Sequence, residues 1–245
     1  MAFKLSKRLF IRAAIFIGGF GFVAGSTLFA IAYFTVSIPD PNAYVNSQAT
    51  IIQYANGQEI GRIGAQNRTI VSLTKIPLHL REAVMAAEDR DFYTNKAFSP
   101  IGILRALKNN LLGGSLQGGS TITQQYAKTA FLTADRTIQR KIKELIIAIK
   151  LENQLSKDEI FENYLNTIYF GRGSYGVQTA SLQYFNRTAD QLTVSQAVVL
   201  ASILRSPGLY DPAFNKENGP RLENRFVYVI KGMVEKGWLT EKEAA

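Results

Sequence analysis

An uncharged stretch near the N-terminus constrains the fold of this chain most. No charged side chain occurs from Ala13 to Pro39, whereas residues 1–12 carry four lysines and arginines and no acidic residue. As a helix, Ala13–Phe34 would be about 33 Å long, against ~30 Å for the hydrocarbon core of a bilayer. We therefore expect a transmembrane anchor with its basic flank in the cytoplasm and the rest of the chain outside the cytoplasmic membrane.

A cleaved signal peptide is the alternative interpretation, because Ala30-Ile-Ala32 resembles a cleavage site. The apolar region of a signal peptide is only about 7–15 residues long, however, which favours the uncleaved anchor. The expected division of the chain is a cytoplasmic tail at 1–12, the anchor at 13–38, a linker with a β-hairpin at 39–75, the main domain at 76–215 and a C-terminal helix at 216–245.

Composition excludes several classes of protein. The 245 residues, 47% hydrophobic and 19% charged, match neither a disordered polyelectrolyte nor a multi-span membrane protein. Without cysteine and with one histidine, His79, the chain cannot form a thiolate zinc site or a His-rich metal site. The net charge of +9 indicates an anionic partner, and a position outside the cytoplasmic membrane argues against nucleic acid.

The remaining pattern predicts a mainly α fold with one small β-hairpin. Asn56-Gly57 separates the strand-like segments Thr50–Tyr54 and Glu59–Ile63, as in a type I′ turn. From Leu78 onward, apolar residues recur at three- and four-residue intervals. The expected helices are Leu80–Phe92, Ile101–Leu112, Thr121–Phe131, Thr137–Glu152, Lys157–Tyr169, Gly176–Phe185, Val194–Leu204 and Arg221–Lys236.

Glu88 is the first candidate for a chemical role. It falls in helical register with the apolar residues Leu80, Val84 and Phe92. Burial disfavours the charged form of a carboxylate, a property that suits a general base or acid. The alternative is a structural role, either a salt bridge with Arg81 or a charge at a helix end, and the spacing does not choose between the chemical and the structural role.

A second candidate is an anion site at Gly118–Gln125. This Gly-Ser-Thr segment leads into a helix, where free backbone N–H groups and hydroxyls converge. Eight basic and two acidic residues lie between Arg105 and Lys150, a charge balance that suits a phosphate or diphosphate. By itself the segment is equally compatible with an ordinary capped helix.

Glu144 is the third candidate, since Arg140 and Lys141 lie within one turn of it. We expect it to face away from the apolar stripe of its own helix, formed by Ile138, Ile142, Leu145 and Ile149. The flanking cations favour its charged form, so Glu88 and Glu144 would be two carboxylates in different environments, as glycosyl chemistry uses. The alternative is an exposed pair between Glu144 and Arg140.

Five segments in order resemble the motifs of the peptidoglycan glycosyltransferases, across about residues 50–212. They are Glu88–Phe92, Gly118–Gln125, Arg140–Glu144, Lys157–Asn166 and Arg205–Pro207. The resemblance implies a lysozyme-like fold with a head lobe and a smaller membrane-dipping jaw. It also implies polymerisation of lipid II into β-1,4-linked glycan, with inversion at C1 and release of polyprenyl diphosphate.

The resemblance assigns roles residue by residue. Glu88 would be the base on the acceptor hydroxyl and Glu144 the second catalytic glutamate. The substrate-binding residues would be Ser120, Thr121, Gln124, Gln125, Lys128, Arg136, Arg140, Lys141, Asn166 and Arg205. Expected partners are lipid II, the growing glycan strand, membrane lipids and other cell-wall synthesis proteins. The sequence requires no cofactor, and a divalent cation (Mg²⁺ or Mn²⁺) at Glu144 is left open.

The first motif departs from the family pattern, with Asn95 where His is usual and Ala97 where Gly is usual. Asn95 can still donate a hydrogen bond, so we expect activity to persist. The tail 221–245 resembles the helix that joins glycosyltransferase and transpeptidase domains in class A penicillin-binding proteins.

Two other functions compete with glycosyl transfer. A muramidase or lytic transglycosylase would use the same fold with one acidic glutamate but would have little use for a basic groove. A non-catalytic membrane-anchored scaffold would leave Glu88 on an apolar stripe unexplained.

Overall fold

One long helix, α1 (Lys7–Thr35), forms most of the first of two units, Met1–Ile38. The computed structural model describes residues 7–38, 50–56, 58–63, 69–98, 120–132 and 137–244. Within α1, Gly18–Thr35 has a mean hydropathy of 1.3 and is long and apolar enough to cross a membrane. The prediction of an apolar N-terminal helix is therefore confirmed.

The second unit, Pro39–Ala245, begins with the predicted hairpin. Strands β1 (Thr50–Gln53) and β2 (Glu59–Ile63) pair antiparallel, with Thr50 opposite Ile63 and an irregularity after Ile52. The Asn56 side chain accepts a hydrogen bond from the Gln58 backbone N–H (3.0 Å), which tightens the turn. Gly57, on which the predicted turn type depends, lies outside the described residues.

Helices make up most of the rest of this unit, together with two single 3₁₀ turns at Leu73–Lys75 and Ala189–Gln191. The described α-helices are α2 (Leu78–Glu88), α3 (Ile122–Phe131), α4 (Ile138–Gln154), α5 (Lys157–Thr167), α6 (Val177–Phe185), α7 (Val194–Leu204), α8 (Pro207–Tyr210), α9 (Asn218–Glu235) and α10 (Glu241–Ala244). The mainly α fold class is confirmed. The predicted helix 101–112 lies outside the described residues, as does nearly all of the predicted membrane-dipping jaw.

Hydroxyl side chains set where the central helices begin. Thr121, Thr137, Ser156 and Thr193 each precede a helix and accept a hydrogen bond from a backbone N–H of its first turn. Ser156 and Thr193 form complete capping boxes, which satisfy two otherwise unpaired N–H groups at each helix start.

A short second hairpin was not predicted. Strands β3 (Tyr169–Gly171) and β4 (Ser174–Tyr175) follow directly on α5, which ends at Thr167 rather than at the predicted Tyr169. The turn needs three successive residues with positive φ, Gly171, Arg172 and Gly173, and Arg172 adopts this conformation without being glycine. The apolar periodicity used for the prediction carries no signal for such a turn.

The core brings the end of α2 close to two other helices. Helix α2 packs against α7 and α9, and α3 packs against α4 and α5. Aromatic rings of Phe92, Phe161 and Tyr164 form a contiguous buried group at this point, with ring centroids 5.2 and 6.4 Å apart. The C-terminus of α2, where Glu88 stands, is thereby held at the meeting point of several chain segments.

The predicted orientation of α4 is wrong. Ile138 is 81% exposed and Ile142 47%, whereas Glu144 is only 2% exposed. The buried face runs through Glu144, Ile147, Ala148 and Leu151, which have the same helical spacing as the predicted stripe. Helical spacing is compatible with burial of either face. The predicted face was chosen because all four of its residues are apolar, and this choice was wrong. Glu144 is therefore no exposed surface residue.

Candidate active site

Glu88 is the last residue of α2, and its side chain is 11% exposed. Val84 and Leu80, one and two turns earlier on the same face, are fully buried, as predicted. The predicted continuation of this helix to Phe92 is wrong, because the chain turns at Asp89. Phe92 nevertheless returns to the core. The turn places a nearly buried carboxylate at a helix end.

Both carboxylate oxygens of Glu88 accept hydrogen bonds from distant parts of the chain. Arg225 Nη2 donates to Oε1 (3.1 Å), and Gln125 Nε2 donates to Oε2 (2.9 Å). Arg225 Nη2 also donates to the backbone carbonyl of Ala87 (2.7 Å). The ion pair of Glu88 is thus with Arg225 on α9 and not with Arg81, the partner considered from the sequence.

Tyr164 fixes the orientation of the Gln125 amide. Its hydroxyl donates to Gln125 Oε1 (3.2 Å), so the amide nitrogen of Gln125 is directed to Glu88. Burial raises the pKa of Tyr164 well above its ordinary value, and the nearby charges of Glu88 and Asp89 raise it further. Tyr164 therefore remains a protonated donor at neutral pH. The series of hydrogen bonds from Tyr164 through Gln125, together with the one from Arg225, restrains the Glu88 carboxylate on two sides.

Asp89 joins the end of α2 to the start of α3. Its Oδ2 accepts from the Ile122 backbone N–H (3.2 Å), and its Oδ1 accepts from Asn95 Nδ2 (3.1 Å). Burial raises the pKa of Asp89 and outweighs the lowering effect of these hydrogen bonds. Asn95, the residue that departs from the family pattern, donates the hydrogen bond that we expected of it.

The second glutamate is enclosed by cations. Glu144 Oε2 accepts from Arg140 Nη1 (3.0 Å), and Glu144 Oε1 accepts from Lys141 Nζ. Lys141 Nζ also donates to Ser120 Oγ (3.0 Å), which connects this cluster to the segment that leads into α3. Lys141 is half-exposed and remains accessible to a ligand. Ser120, Arg140, Lys141 and Glu144 are thus brought together as the motifs implied.

A divalent cation does not fit this cluster. Each oxygen of Glu144 accepts a hydrogen bond from a cationic side chain, Arg140 or Lys141, and these positive charges repel a divalent cation. Mg²⁺ or Mn²⁺ also needs several oxygen ligands, whereas this cluster offers one carboxylate and the Ser120 hydroxyl. In the part of the chain that the structure describes, no three Asp, Glu or His side chains gather in a way that could hold a metal ion.

The other predicted binding residues are more scattered. Thr121 caps α3, and its hydroxyl donates to the Ala97 carbonyl (3.0 Å). Gln124 is buried in α3, and Lys128 is exposed on it.

Asn166 binds the backbone N–H and carbonyl of Val71 (2.9 and 2.8 Å). Arg205 is exposed after α7, and Arg136 lies outside the described residues. Substrate binding by these residues stays a prediction.

Arg225 and Tyr164 are residues of the site that sequence reasoning missed. Arg225 is 8% exposed and shares the buried face of α9 with Val229 and Met233. A single charged residue on an apolar helix face is the same signal that identified Glu88. Arg225 could therefore have been recognised as a candidate buried charge, whereas its pairing with Glu88 depends on how the helices pack.

Comparison with known proteins decides the family. The family model described as Transglycosylase matches residues 56–234, which include Glu88, Glu144 and Arg225. The chain belongs to the transglycosylase family. This membership confirms the enzyme class expected from the motifs, a peptidoglycan glycosyltransferase.

Curated relatives of this family match nearly the whole chain. Penicillin-binding protein 1A of Mycobacterium tuberculosis (strain ATCC 25618 / H37Rv) is 42% identical over 98% of this chain and 29% of its own length. Penicillin-binding protein 1F of Bacillus subtilis (strain 168) is 38% identical over 99% of this chain and 34% of its own length. The chain therefore spans about a third of the length of these transglycosylase relatives. The crystal structure of penicillin-binding protein 1A from Haemophilus influenzae covers 80% of this chain and 19% of its own, with 21% identity and a TM-score of 0.42.

Proposed function

We propose that this domain polymerises lipid II into β-1,4-linked glycan strands with inversion at C1 and release of polyprenyl diphosphate. The observation that supports this most is the Glu88 carboxylate, nearly buried and restrained by Gln125 and Arg225, inside the region of the family match. The growing strand, with its diphosphate at C1, is the donor, and lipid II is the acceptor.

Glu88 acts as the general base in this proposal. As the acceptor 4-hydroxyl oxygen attacks C1, its proton passes to Glu88 and the bond from C1 to the diphosphate oxygen breaks, so an α-linked donor gives a β-linked product. A carboxylate oxygen has two acceptor sites, and each oxygen of Glu88 has one protein donor in the described contacts. A site therefore remains for the substrate hydroxyl, and the protein donors hold the carboxylate in one orientation.

The departing diphosphate is stabilised by the cluster at the starts of α3 and α4. Lys141 and Arg140 supply positive charge, and Ser120 supplies a hydroxyl next to Lys141. Developing negative charge is best stabilised by donors that are already in position. Glu144 provides this positioning, because its two oxygens hold the two cations side by side.

The anchor places the reaction at the membrane. We propose that the basic N-terminal flank remains in the cytoplasm and that the catalytic unit lies on the outer side, according to the positive-inside rule. Both substrates carry lipid tails, so confinement to the bilayer raises their effective concentration near the enzyme. Membrane lipids and other cell-wall synthesis proteins are the further partners we propose.

Two parallel incubations of the purified chain test the reaction. With labelled lipid II we expect polymer, and with finished glycan we expect no cleavage. Short fragments from finished glycan would instead identify a muramidase or lytic transglycosylase. A chain that changes neither substrate would be a scaffold, and the proposal would be wrong.

Replacing Glu144 by glutamine is expected to lower turnover more than ~10-fold, equivalent to about 1.4 kcal/mol of barrier, because the two cations lose their charged partner. Since Glu144 is buried, the melting temperature also falls. Glu152→Gln is the matched control on the same helix, where Glu152 accepts from Thr123 and Lys157. It should lower stability but keep turnover per folded molecule within about twofold. Equal turnover losses in the two variants would contradict the role of Glu144.

A further inference from the structure

A basic cavity of about 580 Å³ lies beside the base, between the end of α7, helix α8 and the first turns of α9. Three arginines, Arg205, Arg221 and Arg225, and two tyrosines, Tyr210 and Tyr228, contribute to its wall. Among the described residues that line the cavity, none is acidic. The charged side chains of the cavity wall are therefore all basic.

Arg225 connects this cavity to the catalytic carboxylate. It lines the cavity, donates to Glu88 Oε1 (3.1 Å) and is only 8% exposed. Its Nε is buried and has no hydrogen-bond partner among the described residues. Because Nε is buried, Arg225 contributes its positive charge to the cavity wall rather than this donor.

A second arginine of the wall, Arg221, is not paired with the base. Glu88 pairs with Arg225, whereas Arg221 contacts a neutral amide oxygen, Asn218 Oδ1, at 3.4 Å. The cavity therefore carries more positive than negative charge in its wall. Guanidinium groups bind carboxylates and phosphates with two parallel hydrogen bonds, and this preference defines the ligand chemistry.

A tyrosine adds a surface that suits a sugar. Tyr210 is half-buried, and an aromatic ring with a hydroxyl edge offers one apolar and one polar contact. Tyr228 is held in place instead, because the guanidinium groups of Arg225 (4.6 Å) and Arg90 (4.8 Å) lie over its ring. A saccharide that carries an anionic group would use both kinds of contact.

We propose that this cavity is a substrate subsite that binds an oxyanion carried by the lipid-linked saccharide, on the Oε1 side of Glu88. The inference rests on the proposed function and adds a second anion site to the one at Lys141 and Arg140. The oxyanion has two sources, a carboxylate of the peptide stem or the diphosphate. Binding here places the saccharide next to the base.

Replacing Arg221 by methionine tests the subsite, because Arg221 is exposed and makes no contact with Glu88 in the structure. In the polymerisation assay, we expect KM for lipid II to rise about tenfold, the loss of about 1.4 kcal/mol of binding, with kcat within about twofold. Arg187→Met removes the same charge from an exposed position outside the cavity wall and should leave both constants unchanged. An unchanged KM in Arg221→Met, or an equal rise in Arg187→Met, would overturn the subsite.

Lipid II with amidated stem carboxylates separates the two sources. If the cavity binds a stem carboxylate, Arg221→Met causes no further rise in KM with the amidated substrate. If it binds the diphosphate, the tenfold penalty is the same for both substrates. Fluorescence anisotropy with labelled lipid II measures binding without turnover. If the parent chain forms no polymer but binds lipid II more tightly than Arg221→Met does, the subsite is supported and the proposed reaction is rejected.

Discussion

Replacing Glu88 by glutamine is expected to lower the rate of polymerisation at least ~10²-fold, the usual contribution of a general base. Glutamine keeps the shape of the side chain and still accepts a hydrogen bond from Arg225 or Gln125, but it leaves the buried Arg225 without its charged partner, so the melting temperature should also fall. What glutamine lacks is the basic oxygen that takes the proton of the acceptor hydroxyl in the proposed mechanism, so the rate is compared per folded molecule. The measurement is the initial rate of polymer formation from labelled lipid II at saturating concentration.

Glu82→Gln provides the matched control for this substitution. Glu82 lies on the same helix and is partly exposed, and burial raises the pKa of its carboxyl. It takes part in none of the hydrogen bonds that hold Glu88. We expect its rate to stay within about twofold of the parent. Near-normal polymer from Glu88→Gln would remove Glu88 from the mechanism.

The largest expected effect on stability is at Asp211, which is fully buried. Its carboxylate accepts from Arg172 Nε (2.6 Å) and Nη2 (2.7 Å), from Tyr184 Oη (3.2 Å) and from the Ala213 backbone N–H (2.9 Å). Removal of one member of a buried ion pair costs about 3–5 kcal/mol. Because Arg172 is 31% exposed, we expect Asp211→Ala to cost the lower value, about 3 kcal/mol.

Denaturant unfolding of the full chain in detergent measures this loss. Asp190→Ala, at an exposed position in a 3₁₀ turn, is the control and should lie within about 0.5 kcal/mol of the parent. A similar free energy of unfolding for Asp211→Ala and the parent would show that the ion pair contributes nothing.

The same ion pair predicts a pH dependence. Burial raises the pKa of Asp211, but hydrogen bonds from Arg172 and Ala213 outweigh this effect and leave the pKa lowered. A lowered pKa in the folded state stabilises the fold above the unfolded value of about 3.9. This contribution is lost as pH falls through the folded-state pKa. Below about pH 4, the parent should therefore lose more free energy of unfolding than Asp211→Ala does.

The environment of Glu88 was predictable, and that of Glu144 was not. Val84 and Leu80 stand one and two turns before Glu88 on the same helix face, so the burial of Glu88 followed from this spacing. Helix α4 has apolar residues on two faces, and only its contacts with α3 and α5 decide which face is buried. Tertiary packing therefore determined the burial of Glu144, which helical spacing alone left undecided.

The partners of Glu88 were harder to predict because they come from distant segments. Gln125 was identified through its motif, but Tyr164 and Arg225 belong to helices whose relative placement periodicity does not give. Asn95 was predicted as a donor, and its acceptor, Asp89, became clear only once the chain was seen to turn after Glu88. Local chemistry could be read from the sequence, whereas pairing across the fold required the structure.

The long reach from Glu88 to Arg225 has a consequence for biosynthesis. The two residues are 137 positions apart, so the ribosome adds the guanidinium long after the carboxylate. Contacts with such large separation form late, since a long loop must close first. A nascent chain that ends before α9 lacks the donor at Oε1 of Glu88. The two-sided restraint of this carboxylate is therefore completed only when α9 docks.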